Sequence, residues 1–96
     1  MNQTPTLSRK YRFSLGDIFI TSNAQDRLTS AQVTNGLARH SNCDFGDISP
    51  DDRNANLLAL ECGGRVLSAY GRDDRRFWII TEADRSSTTV LLPEDY

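Results

Sequence analysis

Within "HSNCDFGD", residues 40 to 47, four side chains able to bind a metal or move a proton lie close together: His40, Cys43, Asp44 and Asp47. An imidazole and a thiol at this spacing can serve as base and nucleophile, and with Asp47 they offer a metal three donors. The pattern lacks a second half. His40 is the only histidine, Cys62 stands alone as the other cysteine, and no second ligand pair follows. No neighbouring group orients the base or lowers the thiol pKa. The plainer expectation is a turn. In it Phe45 plugs the core, Gly46 permits positive φ, and the Asp44 and Asp47 side chains bond to backbone. Neither a metal nor a cofactor is expected.

A second concentration of chemistry lies in "FWIITEADRSSTTVLLPEDY", residues 77 to 96. Glu82, Asp84 and Arg85 supply an acid, a base and a cation. If folding brings His40 near, then His40, Glu82 and Arg85 make the set a metal-free, RNA-cleaving, toxin-like domain would use. The structural alternative has Asp84 and Ser86 closing a hairpin, with Glu82 and Arg85 paired across its mouth or with the 71–75 turn. The interaction alternative joins Glu82, Asp84 and Arg85 to Glu94 and Asp95 as a charged rim read by a basic protein partner. With one histidine and no paired, oriented acid and base, a non-enzymatic protein is expected.

Charge weighs against RNA. The chain of 96 residues carries a net charge of −2. Residues 1–48 hold five Arg or Lys against four Asp or Glu, and residues 49–96 hold six against nine. An acidic surface opposes phosphate binding, which depends on Lys and Arg displacing counterions. Direct nucleic-acid contact is therefore not expected, whereas a protein partner is, and a homo-oligomer is compatible with the sequence.

The elements that must position these groups are few, because a chain this short buries one modest core. Residues 1–14 read as a flexible basic tail carrying Arg9, Lys10 and Arg12, and residues 15–96 as a single α+β domain. "GDIFIT", residues 16–21, alternates like a short strand with one buried face. Ser22 and Asn23 then offer a helix cap, and Thr29-Ser30 a second one, so a helical turn followed by a separate helix is expected over 22–40. "SPDD", residues 49–52, is a strong helix start: Ser49 caps, Pro50 takes the first position, and Asp51 and Asp52 face the positive end of the dipole. Gly63-Gly64 stops that helix, and lacks the phosphate-loop context of GxGxxG or GxxxxGK.

Three strand candidates follow, "RVLSAY" (65–70), "RFWIIT" (76–81) and "TTVLL" (88–92), with links too short for helical crossovers. Residues 72–76 read as a solvated hairpin tip, and Tyr70 and Trp78 as core or half-buried strand residues. The expected architecture is a small antiparallel sheet, an N-terminal strand plus a C-terminal three-stranded meander, packed on two or three helices. Strand 76–81 should be central and covered on at least one face. Ile18, Ile20, Leu67, Ile79, Val90 and Leu91 or Leu92 should bury against Leu37, Leu57 and Leu60. No apolar run approaches the length of a membrane helix. "MNQTPTLSRKYRF" has no apolar stretch of the signal-peptide kind, which makes the cytoplasm the expected location and Cys43 and Cys62 reduced thiols.

"LARH", "CDFGDISPDDRNAN", "GGRVLSAY" and "FWIITEADRSSTTVLLPEDY" together resemble a family of small bacterial proteins associated with plasmids and integrated mobile elements. Those proteins read LLARH, GDWG, GGRLLSAY and WIITEADRS with an ILLPE.Y ending. The resemblance covers residues 18–96 and departs at Phe45, where the pattern has Trp, and in a shortened 71–75 hairpin. It implies bacterial origin and mobile-element carriage, and brings no catalytic residues. Small acidic proteins of such elements can occupy the basic nucleic-acid channel of a host defence complex, in the style of anti-CRISPR inhibitors. The expected function is accordingly a cytoplasmic protein-interaction module of that inhibitory kind, with the RNA-cleaving domain as the alternative.

Overall fold

The computed structural model describes residues 13–96. The basic tail expected over residues 1–14 therefore falls, except for its last two residues, outside the described part. Each helix begins where a hydroxyl can take up an orphan backbone N–H. Thr21 caps α1 (Ser22–Arg27), its Oγ1 accepting from the Ala24 N–H at 3.1 Å. The cap lies one residue ahead of the expected Ser22-Asn23, because Thr21 has the extended backbone that points a side chain over the helix end. Thr29 caps α2 (Ser30–Ser41) in a reciprocal box with Gln32. Ser49 caps α3 (Pro50–Cys62), Asp51 and Asp52 lie in its first turn, and Gly63 ends it at φ 87°.

The strands are β1 (Asp17–Ile20), β2 (Val66–Tyr70), β3 (Phe77–Thr81) and β4 (Ser87–Leu91), in one sheet of order β1-β4-β3-β2. Single 3-10 turns at Asp73–Arg75 and Pro93–Asp95 complete the described elements. β2, β3 and β4 form the expected antiparallel meander, with β3 inside the sheet. The α+β class is as expected, and one detail is corrected: β1 pairs parallel with β4, so the sheet is mixed. The intervening helices carry the chain back across the sheet, and the Asp17 and Thr21 N–H groups donate to the carbonyls of Ser86 and Val90, both at 3.0 Å.

Alternation assigns the two faces. One carries Ile18, Ile20, Val66, Ser68, Tyr70, Phe77, Ile79, Thr81, Thr88 and Val90, as the strand registers require. The helices pack here: Ala24 and Leu28 with Ile79, Val90 and Leu92, and Ala59 with Phe45 and Val66. Gly36 explains why a poor helix former sits within α2. A Cβ there would lie 2.9 Å from the Phe77 ring and 3.1 Å from Ile79 Cδ1, so glycine sets how closely α2 approaches β3.

Most of the expected core is present. Ile79, Val90 and Leu92 are fully buried, Leu91 is buried, and Ile20, Leu37, Leu60 and Leu67 are half-buried. Two expectations fail: Ile18 is 46% exposed and Leu57 41%. Ile18 lies on an edge strand beyond the reach of the helices. Leu57 points outward because α3 docks through Asn56, Ala59 and Leu60. No helix among the described residues is long and apolar enough to cross a membrane.

Candidate functional site

His40, in the last turn of α2, is fully buried between β2 and β3. Its Nδ1 lies 2.6 Å from Ser68 Oγ and its Nε2 2.9 Å from Thr81 Oγ1. Thr81 Oγ1 is 2.7 Å from Thr88 Oγ1, which donates to the Leu15 carbonyl at 2.6 Å. Counting protons fixes the direction of the chain. Thr88 spends its only hydroxyl proton on Leu15, so it accepts from Thr81. Thr81 has then spent its own proton and must accept from Nε2–H, which leaves Nδ1 to accept from the Ser68 hydroxyl. The imidazole is thus neutral and protonated on Nε2. Burial pushes its pKa down to about 4, in agreement with that assignment.

This geometry removes His40 from the chemistry considered above. Both ring nitrogens are committed, and Phe13 packs edge-on against the ring at 5.2 Å. The RNA-cleaving set of His40, Glu82 and Arg85 therefore loses its base, and the metal reading of His40, Cys43 and Asp47 loses its imidazole. Among the described residues no group of three His, Cys, Asp or Glu is placed to hold a metal ion. Over residues 44–47 the expectation holds in part, because the Asp47 carboxylate accepts from Arg76 at 3.3 Å rather than from backbone. Phe45 is buried, Gly46 has φ 74°, and Asp44 accepts from the Gly46 N–H while pairing with Arg39 at 2.7 Å. The Arg39 guanidinium holds the Asp44 carboxyl below the usual carboxylate range.

Each member of the expected charged rim has a partner inside the molecule. Arg85, at φ 63°, donates to the carbonyls of Gly64 at 2.6 Å, Ala59 at 3.0 Å, Glu82 at 3.0 Å and Ala83 at 3.1 Å. It fastens the β3–β4 corner onto the C-terminal end of α3, sharing the Ala59 carbonyl with the Gly63 N–H. Glu82 pairs with Arg65 at 3.3 Å rather than across the hairpin mouth. Asp84 accepts from the Ser86 N–H at 2.9 Å, closing the turn as expected. Asp95 accepts from Thr21 Oγ1 at 2.6 Å, Asn23 Nδ2 at 2.7 Å and the Leu92 N–H at 3.0 Å. These bonds lower its pKa, the one from Thr21 most, and tie the C-terminal turn to the start of α1. Glu94 pairs with Arg27 at 3.2 Å.

The surface that the sequence did not disclose is the other face of the sheet. It carries Phe19, Leu67, Ala69, Trp78, Ile80, Thr89 and Leu91; Phe19 is exposed and Leu67, Trp78 and Thr89 are half-buried, whereas Ala69, Ile80 and Leu91 are buried although the helix-to-sheet clusters do not include them. Trp78 meets Tyr96 edge to face at 5.7 Å. Arg65 lies 5.9 Å over the Tyr96 ring and donates to its hydroxyl at 3.2 Å. Arg65, Leu67, Trp78, Ile80 and Tyr96 line a cleft of about 250 Å³. Phe19, 56% exposed, extends the apolar face to the sheet edge, and Tyr96 is 72% exposed. The signal was present in β3, whose residues are apolar on both sides, but it reads equally as a strand covered twice.

Compared with family models, curated proteins and solved structures, the chain gives no significant match.

Proposed function

We propose that this chain is a non-enzymatic protein-interaction module that engages its partner through the cleft beside Trp78 and Tyr96. One observation carries the reading: half-buried Trp78 and exposed Tyr96 flank an apolar cleft on the sheet face opposite the described helices. Tryptophan, tyrosine and arginine side chains ringed by charge are what interface centres are enriched in. Arg65 and Glu82 at its margin supply a fixed pair of opposite charges.

The motif resemblance and the net charge of −2 support a narrower version. In it the chain is a cytoplasmic inhibitor carried by a mobile element, and its partner is a basic, nucleic-acid-handling complex of host defence. Glu82, Asp84 and Glu94 keep exposed carboxylates that would steer such a partner, while Arg85 and Asp95 hold the corners in place.

Affinity capture from a bacterial lysate tests the reading with three baits. These are the wild type, the pair Trp78→Ser with Tyr96→Ala, and the triple Glu82→Arg, Asp84→Arg, Glu94→Arg, each shown to be folded by circular dichroism. A partner held by the wild type, lost from the aromatic variant, and weakened in a salt-dependent way in the triple variant is the expected result. A folded aromatic variant that captures the same partner as the wild type sinks the reading.

A further inference from the structure

The two edges of the sheet are treated differently. At the β2 edge, Asn56 donates to the Leu67 carbonyl at 2.7 Å and accepts from the Leu67 N–H at 3.0 Å. One step along, the Ala69 N–H donates to Phe45 at 3.0 Å and the Ala69 carbonyl accepts from Asp47 at 2.8 Å. That edge is closed by side chain and loop, a common defence against strand addition. At the β1 edge, Asp17 and Thr21 aim their backbone groups at β4, so alternation turns those of Ile18 and Ile20 outward. No strand pairs with that side among the described residues. The strand "DIFI" carries no lysine, proline or glycine to blunt it, and exposes Ile18 and Phe19 instead.

Beside this edge, on the helix side, is a groove of about 310 Å³ with Ile20, Leu28 and Val33 as its apolar lining. A strand added to β1 would hang alternate side chains over it, the arrangement by which strand addition gains specificity. The strand that fits is β1 itself. In an antiparallel, two-fold pairing of β1 with β1 of a second copy, Ile18 falls opposite Ile20 of the other chain, and Phe19 opposite Phe19. Every outward N–H and C=O of Ile18 and Ile20 then finds a partner. Each exposed Ile18 comes to rest beside the other copy's Ile20 at the mouth of its groove, and the two exposed Phe19 rings meet on the opposite face of the sheet. We infer that the chain self-associates through β1, joining two four-stranded sheets into one. This inference rests on the edge and the groove, and stands apart from the reading of the cleft around Trp78.

Sedimentation equilibrium of the full chain, from about 10 μM to about 1 mM, combined with amide exchange read residue by residue, tests it. The wild type should form dimers as concentration rises, with the Ile18 and Ile20 amides exchanging more slowly in step. Ile18→Lys and Phe19→Lys alter exposed side chains, leave the bonds to β4 intact, and should each weaken association by about tenfold or more. A wild type that stays monomeric throughout, or dimers that form while the Ile18 and Ile20 amides exchange at an unchanged rate, would overturn the inference. So would folded Lys variants that associate as the wild type does. A Phe19→Cys variant gives an independent arm, because directly opposed positions should yield a disulfide between the two introduced cysteines on oxidation. Its absence in a sample that dimerises would place the contact elsewhere.

Discussion

Asn56 and Leu67 exchange a pair of hydrogen bonds, the buried amide of α3 donating to the Leu67 carbonyl at 2.7 Å and accepting from its N–H at 3.0 Å. One side chain thereby docks a helix, completes the outer edge of β2, and replaces a fifth strand at that point. Removing it leaves two backbone groups of Leu67 without their partner. Asn56→Ala should cost about 2 kcal/mol, and Asn56→Asp, which keeps the acceptor and loses the donor beside a carbonyl, at least as much. Urea denaturation of the two variants against the wild type measures both. A loss under about 0.5 kcal/mol in each would contradict the edge-sealing role.

The buried imidazole predicts an acid-sensitive window. Because burial lowers the pKa of His40 from 6.5 to about 4, the native state binds fewer protons than the unfolded chain between those values. Its contribution is complete above about pH 6.5 and is lost as pH falls toward 4, amounting to about 3 kcal/mol by linkage. The lowered carboxyls of Asp44, Asp84 and Asp95 act in a separate window, below 3.8. Denaturation midpoints between pH 7.5 and pH 4 should therefore fall in the wild type. They should fall much less in a folded His40→Gln variant, and equal slopes would refute the assignment.

Arg85 is expected to matter for stability more than for charge. Its guanidinium donates to the carbonyls of Ala59, Gly64, Glu82 and Ala83 and so ties the β3–β4 corner to α3, and its backbone lies at φ 63°. Arg85→Ala should lower stability by about 2–3 kcal/mol, seen as a fall in Tm of about 10 °C or more for a domain this small. Arg85→Lys should recover only part, since an ammonium cannot span the same set of carbonyls. Equal melting of the Ala variant and the wild type would return Arg85 to the surface role considered from sequence.

How much of this was legible follows from the range of each interaction. The start of α3 is a local matter, decided by Ser49, Pro50, Asp51 and Asp52 within one turn, and the structure agrees with the reading. The meander is nearly as local, because the links at 71–76 and 82–86 admit no crossover. The parallel partner of β1 lies about 70 residues away and left no mark in its four residues. His40 likewise looked like a reactive group because its partners, Ser68 and Thr81, are 28 and 41 residues away and pass for ordinary polar strand positions. Arg85 reaches 26 residues to Ala59, and backbone carbonyls have no letter in a sequence. The cleft was hidden for another reason: Trp78 announces burial, and its half-buried place beside Tyr96 is set only when the C-terminal turn comes back to β3.

Trp78 is the only tryptophan of the chain, so replacing it biosynthetically with fluorotryptophan puts one ¹⁹F signal in the lining of the cleft. The most direct test of the interaction reading is to titrate the labelled protein with the captured partner and follow that signal. The account predicts that the resonance shifts or broadens in proportion to the bound fraction and saturates with it. A resonance that stays unchanged while an independent measurement shows the partner fully bound would contradict it.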